Sequence, residues 1–309
     1  MRFLRVPLNR IHQSVRKLHS PPHLLPPRGS RCLSFDHAPS IPELDAHDLV
    51  SIKNKGHVRQ VHDYLRSHGA LKVKLGFLDP DSDYLYQLVL SLHKNHGHGL
   101  PSTHSSTKGW FWDVRPQPET IEHRAISETM SNFPWHTDSC YETAPAKFFA
   151  LHVLQHDRFG GGTLSLLNVD RLLHSISPSA KLALSEPEFR IAVPPEFSKG
   201  NQDSFIGSLL STDEQGQHVR LRFREDIVRP LTPRANSAYD ELMNAFIQHK
   251  KTKIQNLRSE ALPQGSIILM DNGRWLHSRN HVRDPGRHLR RVRWDARPFQ
   301  KHSGHFAEV

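Results

Sequence analysis

The chain is poor in cysteine: Cys32 and Cys140 are the only two among 309 residues. Cys32 falls in an N-terminal stretch that reads as a leader, so no intrachain disulfide is expected in the mature protein. Two cysteines also exclude a cysteine-only zinc site, and the scarcity fits a reducing intracellular compartment. No apolar run approaches the ~18 residues of a membrane span, so none is expected. Acid is missing altogether from Met1 to Phe35. That stretch holds Arg2, Arg5, Arg10, Arg16, Lys17, Arg28 and Arg31, seven of the net +10 charges. The remaining body is then nearly balanced and does not call for an acidic polymer, so a nucleic-acid partner is not expected.

The acid-free stretch has the composition of a transit peptide, rich in Arg and hydroxyls. Phe3, Leu4, Ile11, Val15 and Leu18 share one broad helical face. Arg31-Cys32-Leu33-Ser34 resembles a mitochondrial processing site with the cut after Leu33. Mitochondrial import is the expectation. The bland alternative is a basic tail without an address on a cytoplasmic protein. Pro21, Pro22, Pro26 and Pro27 close the segment, which gives a leader and linker over residues 1–40 and one domain over 41–309.

Within that domain, Val58, Val61, Tyr64 and Leu65 predict a helix over residues 57–67, and Leu85, Leu88, Val89 and Leu92 another over 82–94. Alternation predicts a strand over 70–75 between them. Beyond Trp110 the chain reads as mostly β, with strands at about 110–114, 147–154, 162–167, 189–193, 218–224, 265–270 and 287–295 and one helix at about 234–250. Many short strands between Gly and Pro turns suggest a sandwich, barrel or jelly roll.

The sharpest local feature is Phe133-Pro134-Trp135-His136-Thr137-Asp138. In an extended segment, side chains two apart leave the same face, so the His136 imidazole and the Asp138 carboxylate can converge. The candidate third ligand is His277, six residues after Asp271 in the apolar strand Ser266 to Asp271 and its Asp-Asn ending. Two histidines and one carboxylate leave three positions open on an octahedral ion, the arrangement of non-haem Fe(II) oxygenases. A His-x-Asp alone is weak in a chain of 24 histidines. The downstream set gives it weight.

Arg287, Leu289, Arg291 and Arg293 share one face of the last predicted strand, and His288, Arg290, Val292 and Trp294 the other. Arg287 and Arg291 can both enter a barrel, one toward a dicarboxylate co-substrate and one toward a substrate anion. Taken alone, a basic edge strand in solvent is the commoner meaning. Thr163, after Gly160-Gly161-Gly162, can give a hydroxyl to the same carboxylate. The glycines lack the Lys-Ser/Thr ending of a phosphate loop. Trp110, Trp112, Trp135, Trp275 and Trp294 lie near these motifs, with core packing favoured over a cation–π cage for a quaternary ammonium. The segment Arg124 to Thr129 can also reach a substrate.

In order and spacing these residues resemble the taurine dioxygenase and clavaminate synthase-like superfamily of Fe(II)/2-oxoglutarate oxygenases, from about Ala70 to Phe299. The resemblance implies a double-stranded β-helix (a jelly-roll, cupin-like fold), mainly β with flanking helices. It implies His136, Asp138 and His277 as catalytic iron ligands. Thr163 and Arg287 would hold the 2-oxoglutarate C5 carboxylate, and Arg291 would turn toward an acidic substrate group. The dense arginine cluster leaves the choice among Arg287, Arg290 and Arg291 open. The implied reaction uses O₂, with ascorbate as a supporting reductant, to oxidise a small acidic or zwitterionic molecule, releasing succinate and CO₂. Hydroxylation is expected ahead of desaturation or demethylation. The competing readings are a catalytically silent β-helix binding or regulatory protein, a zinc hydrolase on the same ligands, and a nucleic-acid binder. The primary substrate and the oligomeric state are not legible.

Overall fold

The computed structural model describes residues 41–103, 109–121, 124–198, 203–212, 219–250 and 254–299. The expected leader, processing site and linker lie outside the described residues. Among those described, no helix is long and apolar enough to cross a membrane.

The first half of the described chain runs β1 (Glu43–Ala46), α1 (Lys55–His68), β2 (Ala70–Leu75), α2 (Asp83–His96), β3 (Phe111–Val114), β4 (Phe133–His136), β5 (Ala146–Gln155) and β6 (Leu164–Asn168). It continues through α3 (Val169–Leu173), α4 (Pro178–Leu184), β7 (Phe189–Ala192), β8 (Ser204–Gly207), β9 (Leu210–Thr212), β10 (Val219–Leu221) and β11 (Val228–Pro230). The last elements are α5 (Pro233–Lys250), β12 (Gln255–Leu257), β13 (Ser266–Asp271), β14 (Trp275–Arg279) and β15 (His288–Ala296).

A six-stranded sheet has the order β1-β2-β13-β5-β15-β3, and a four-stranded sheet the order β12-β6-β14-β4. Their facing surfaces share one core, in which Phe149, Leu151, Ile268, Met270 and Leu289 of the larger sheet meet Leu164, Leu166 and Trp275 of the smaller. This is the jelly roll, mainly β with flanking helices, that was expected. The larger sheet's outer face is also covered. Leu71, Val73, Ile267, Leu269, Val292 and Trp294 pack there against Val58, Val61 and Leu65 of α1 and Leu85, Leu88 and Leu92 of α2. Burial on both faces explains why β13 reads as a continuous apolar run. Outside the smaller sheet, α3 to α5 and the short strands form a third core with Trp135, Leu167 and Leu276.

Local chemistry sets the helix ends. Asn54 caps α1, its Oδ1 accepting from the Gly56 amide at 2.8 Å, and Gly69 ends it in the left-handed region. The helix thus starts two residues before the expected 57. The expected strand 218–224 is a ladder only over Val219–Leu221, and the chain then bridges to His136 through Arg224. The strand expected from 162 begins at Leu164, because Gly162 is left-handed. Core packing is the fate of Trp135, Trp275 and Trp294, while Trp110 stacks on Tyr86. The tryptophans form no cage.

Two buried polar devices hold this frame. The Asn272 side chain accepts from the Asp138 amide at 2.7 Å and donates to the Asp138 and Ala146 carbonyls at 2.8 and 2.9 Å. On the helical side, the Trp294 indole N–H donates to His98 Nδ1 at 3.1 Å, so His98 carries its proton on Nε2 and passes it to His62 Nδ1, also at 3.1 Å. Burial lowers the His98 pKa to about 4, with His62, His96 and Lys147 adding to the effect and Asp295 opposing it.

Replacing Asn272 by Ala strands three buried backbone groups, and the urea midpoint should fall by the equivalent of about 2–4 kcal/mol. His98 is neutral when folded and titrates near its ordinary value when unfolded. Its contribution is therefore full above about pH 6.5 and is lost as the pH falls toward 4. Urea titrations over that range should show declining stability, with a shallower decline in His98→Gln, whose amide oxygen can still accept from Trp294.

Candidate metal and co-substrate site

Strands β4 and β14 are antiparallel neighbours, and their register sets His136 directly opposite His277. The two rings lie 4.1 Å apart between centroids. Asp138 arrives differently from the expectation. β4 ends at His136, and Asp138 sits in the turn beyond it, where Ser139 takes a φ of 55°. Convergence therefore comes from a turn clamped by Asn272 and not from alternation along a strand. Asp138 Oδ1 lies 3.6 Å from Nε2 of His136 and 3.6 Å from Nε2 of His277. The three side chains are buried, with one donor atom from each within 4.8 Å of the others, and no other such group occurs among the described residues.

The surroundings prepare these atoms for a cation. His136 Nδ1 lies 2.7 Å from the Pro134 carbonyl, which holds the proton on that nitrogen and leaves Nε2 as a lone-pair donor. Burial lowers the His136 pKa to about 4, helped by His277, so the imidazole is neutral. Burial acts to raise the Asp138 pKa. The Arg291 guanidinium and the two imidazoles outweigh it and hold the carboxyl well below its ordinary value. Arg291 Nη1 lies 3.1 Å from Asp138 Oδ2 without aligning a hydrogen bond to it, so that oxygen keeps its acceptor capacity. Phe133 stacks on His136 at 3.7 Å and Phe149 lies 4.7 Å from His277, fixing both rings. Two imidazoles and a carboxylate suit Fe(II).

Two small cavities flank the three residues, and Arg291 lines both. The first, about 40 Å³, is bounded by Arg287 and Arg279. The expected arginine face is formed: Leu289 points between the sheets while Val292 and Trp294 point to the helices. Arg290 is on the outer face, bonded to Asp113 at 2.8 Å and to the Pro80 carbonyl. Geometry therefore leaves Arg287 and Arg291 at the site and removes Arg290 from it. Arg287 is buried, and its Nη1 has no hydrogen-bond partner. Burial, with Arg279 nearby, lowers its pKa to about 9. Gly162 makes room for it, since a Cβ there would stand 2.7 Å from Arg287 Nε. Thr163 is half-buried, and its amide donates to Asn280 Oδ1 at 2.6 Å. Its side chain is not among those lining either cavity.

The second cavity, about 30 Å³, is bounded by Ala125, Ile126, Tyr141, Glu196, Arg224 and Arg293, among others. The 124–129 segment thus reaches the site, as anticipated. Trp112 meets Arg291, whose guanidinium lies 4.8 Å from its ring centroid. Arg279 was missed from sequence. It lies two residues after His277 on the same strand, so the period-two rule that placed its neighbours could have found it. Its guanidinium donates to the carbonyls of Ser127 at 3.2 Å, Ile126 at 3.4 Å and Thr129 at 3.0 Å, and to that of Ser131. A larger groove of about 540 Å³ lies elsewhere, along Leu75 to Pro80 and His152, and contains none of the three convergent residues.

A family model described as taurine catabolism dioxygenase TauD, TfdA family matches residues 33–293. L-asparagine oxygenase of Streptomyces coelicolor is 28% identical over 168 residues, 54% of this chain and 47% of that protein. Glutarate 2-hydroxylase of Citrobacter koseri is 25% identical over 174 residues, 54% of this chain and 51% of that protein. The chain thus matches about half the length of these curated relatives. A structure of asparagine oxygenase with Fe(II), 3-hydroxyasparagine and succinate superposes with a TM-score of 0.62 at 22% identity, over 79% of this chain and 82% of that one. One of the non-haem iron oxygenase OrfP with Fe and alpha-ketoglutaric acid gives 0.58 at 19%, over 80% and 84%. Those two likenesses speak to the fold, and the family match to descent: this chain belongs to the taurine catabolism dioxygenase TauD, TfdA family.

Proposed function

We propose that this protein is an Fe(II)- and 2-oxoglutarate-dependent dioxygenase that hydroxylates a small acidic or zwitterionic molecule, with release of succinate and CO₂. The observation that carries the reading is the buried convergence of His136, Asp138 and His277 between two arginine-lined cavities. Family membership supports it, as do relatives named for oxidation of asparagine and glutarate. His136, Asp138 and His277 would hold the iron. A bound ferrous ion supplies the O₂ chemistry that couples decarboxylation of 2-oxoglutarate to oxidation of the substrate.

The protein's part is charge, orientation and dryness. Arg287 would receive the far carboxylate of 2-oxoglutarate, because a buried guanidinium with a free donor is costly until an anion meets it. Arg291, between the cavities, holds Asp138 ionised and shields it from the co-substrate's charge. Phe133, Phe149 and Leu164 line the same space and keep water out. Assigning Thr163 to the co-substrate finds no support in the cavity walls.

His136→Ala should lose tight Fe(II) binding in anaerobic titration and abolish substrate-dependent succinate release. Undiminished turnover would refute the assignment, and activity with zinc in place of Fe(II) would favour a hydrolase. Arg287→Met should raise the KM for 2-oxoglutarate by ~10- to 100-fold, the worth of a charge-assisted hydrogen bond. Fe(II) affinity measured without co-substrate should change little in that variant.

A further inference from the structure

Two of the buried polar atoms that find no hydrogen-bond partner among the described residues are Nδ1 of His156 and Nη1 of Arg287. They belong to neighbours. In the β5–β15 ladder Gln155 stands opposite His288, so the next step outward sets His156 opposite Arg287. Residues opposed across an antiparallel ladder turn their side chains to one face. Both accordingly line a third small cavity, of about 40 Å³. It shares Leu151, Leu164, Arg287 and Leu289 with the cavity assigned to the co-substrate, so the two abut at the guanidinium. Asp157 is also on its wall, but its oxygens are taken by the backbone amides of Phe159 at 2.9 Å, Arg283 at 2.7 Å and Asp284 at 3.2 Å. Those bonds anchor the turn that carries His156, and the Gln155 side chain donates to the His156 carbonyl at 3.1 Å.

We propose that His156 is the second donor for the far carboxylate of 2-oxoglutarate, one oxygen meeting Arg287 and the other the His156 Nδ1–H. This rests on the oxygenase reading above and adds a residue to its co-substrate site. A neutral imidazole carries its proton on either nitrogen, and no group among the described residues claims Nδ1. Two unmet donors side by side each cost free energy, and one two-oxygen group satisfies both. The cavity suits that end of the molecule alone. At roughly 10–15 Å³ for each water-sized group, about 40 Å³ takes a carboxylate and not the chain behind it. The imidazole takes the part expected of the Thr163 hydroxyl, since Thr163 lines neither this cavity nor the two beside the triad.

The test is anaerobic calorimetry on the full-length protein loaded with Fe(II), so that binding is read without turnover. The probes are 2-oxoglutarate and 2-oxopentanoate, in which a methyl group replaces the far carboxylate. His156→Ala should weaken 2-oxoglutarate by about tenfold or more, the worth of a hydrogen bond to a charged group, and leave 2-oxopentanoate within about twofold. His156→Asn, whose side-chain N–H can stand in for Nδ1–H, should restore part of that loss. The double variant His156→Ala/Arg287→Met should weaken 2-oxoglutarate by less than the product of the two single effects, because both side chains act on one carboxylate. Fe(II) affinity measured without co-substrate should be the same in all of them.

Unchanged 2-oxoglutarate affinity in His156→Ala overturns the inference while leaving the oxygenase reading intact. Equal weakening of both oxo acids would mark a structural role and also overturn it, as would effects at His156 and Arg287 that simply multiply. A wild-type protein that binds neither oxo acid in the presence of Fe(II) would overturn the oxygenase reading itself.

Discussion

The pairing of β4 with β14 is the constraint on which the site depends. Those strands bring residues 136 and 277 face to face across a ladder. No local feature near either histidine could do so, because nine strands and three helices lie between them in the chain. The carboxylate is added by a turn, and the turn is held by an amide side chain that reaches back from the end of β13. Each donor thus comes from a different kind of element: a strand end, a turn and a strand interior. Rigidity comes from the sheets on either side, whose shared core leaves little freedom for the imidazole planes.

The electrostatic arrangement follows from the same geometry. A strand that turns alternate residues inward delivers Arg287, just before β15, and Arg291 two strand repeats apart on the same face as Leu289. Buried guanidiniums are tolerated here because each meets a carboxylate, a row of carbonyls, or a chamber suited to an anion. The Asp138 carboxylate shows how finely this is balanced. Burial favours its protonated form, and the neighbouring cation and imidazoles reverse the preference.

Much of this was legible in the sequence where periodicity and burial agree. Both helices over the larger sheet, the long strand β5, the apolar β13 and the inward arginine face of β15 follow from spacing alone. The three convergent residues were legible as a set, through their order. The origin of the Asp138 approach was not, since a left-handed Ser139 leaves no mark that distinguishes it from a continuing strand. Strands of three residues such as β9, β11 and β12 are too short to carry a period. Thr163 was read from its place after the glycines and from the family pattern, yet it lines neither cavity. Arg279 and Glu196 stood in a chain with abundant charge, where only tertiary surroundings separate a solvated residue from a lining one.

Arg279 has a role that links the two chambers. It borders the one assigned to the co-substrate, and its nitrogens fasten the backbone that walls the other. A single planar group therefore serves as a shared rivet. The position of that one guanidinium thus sets a wall of each chamber at once.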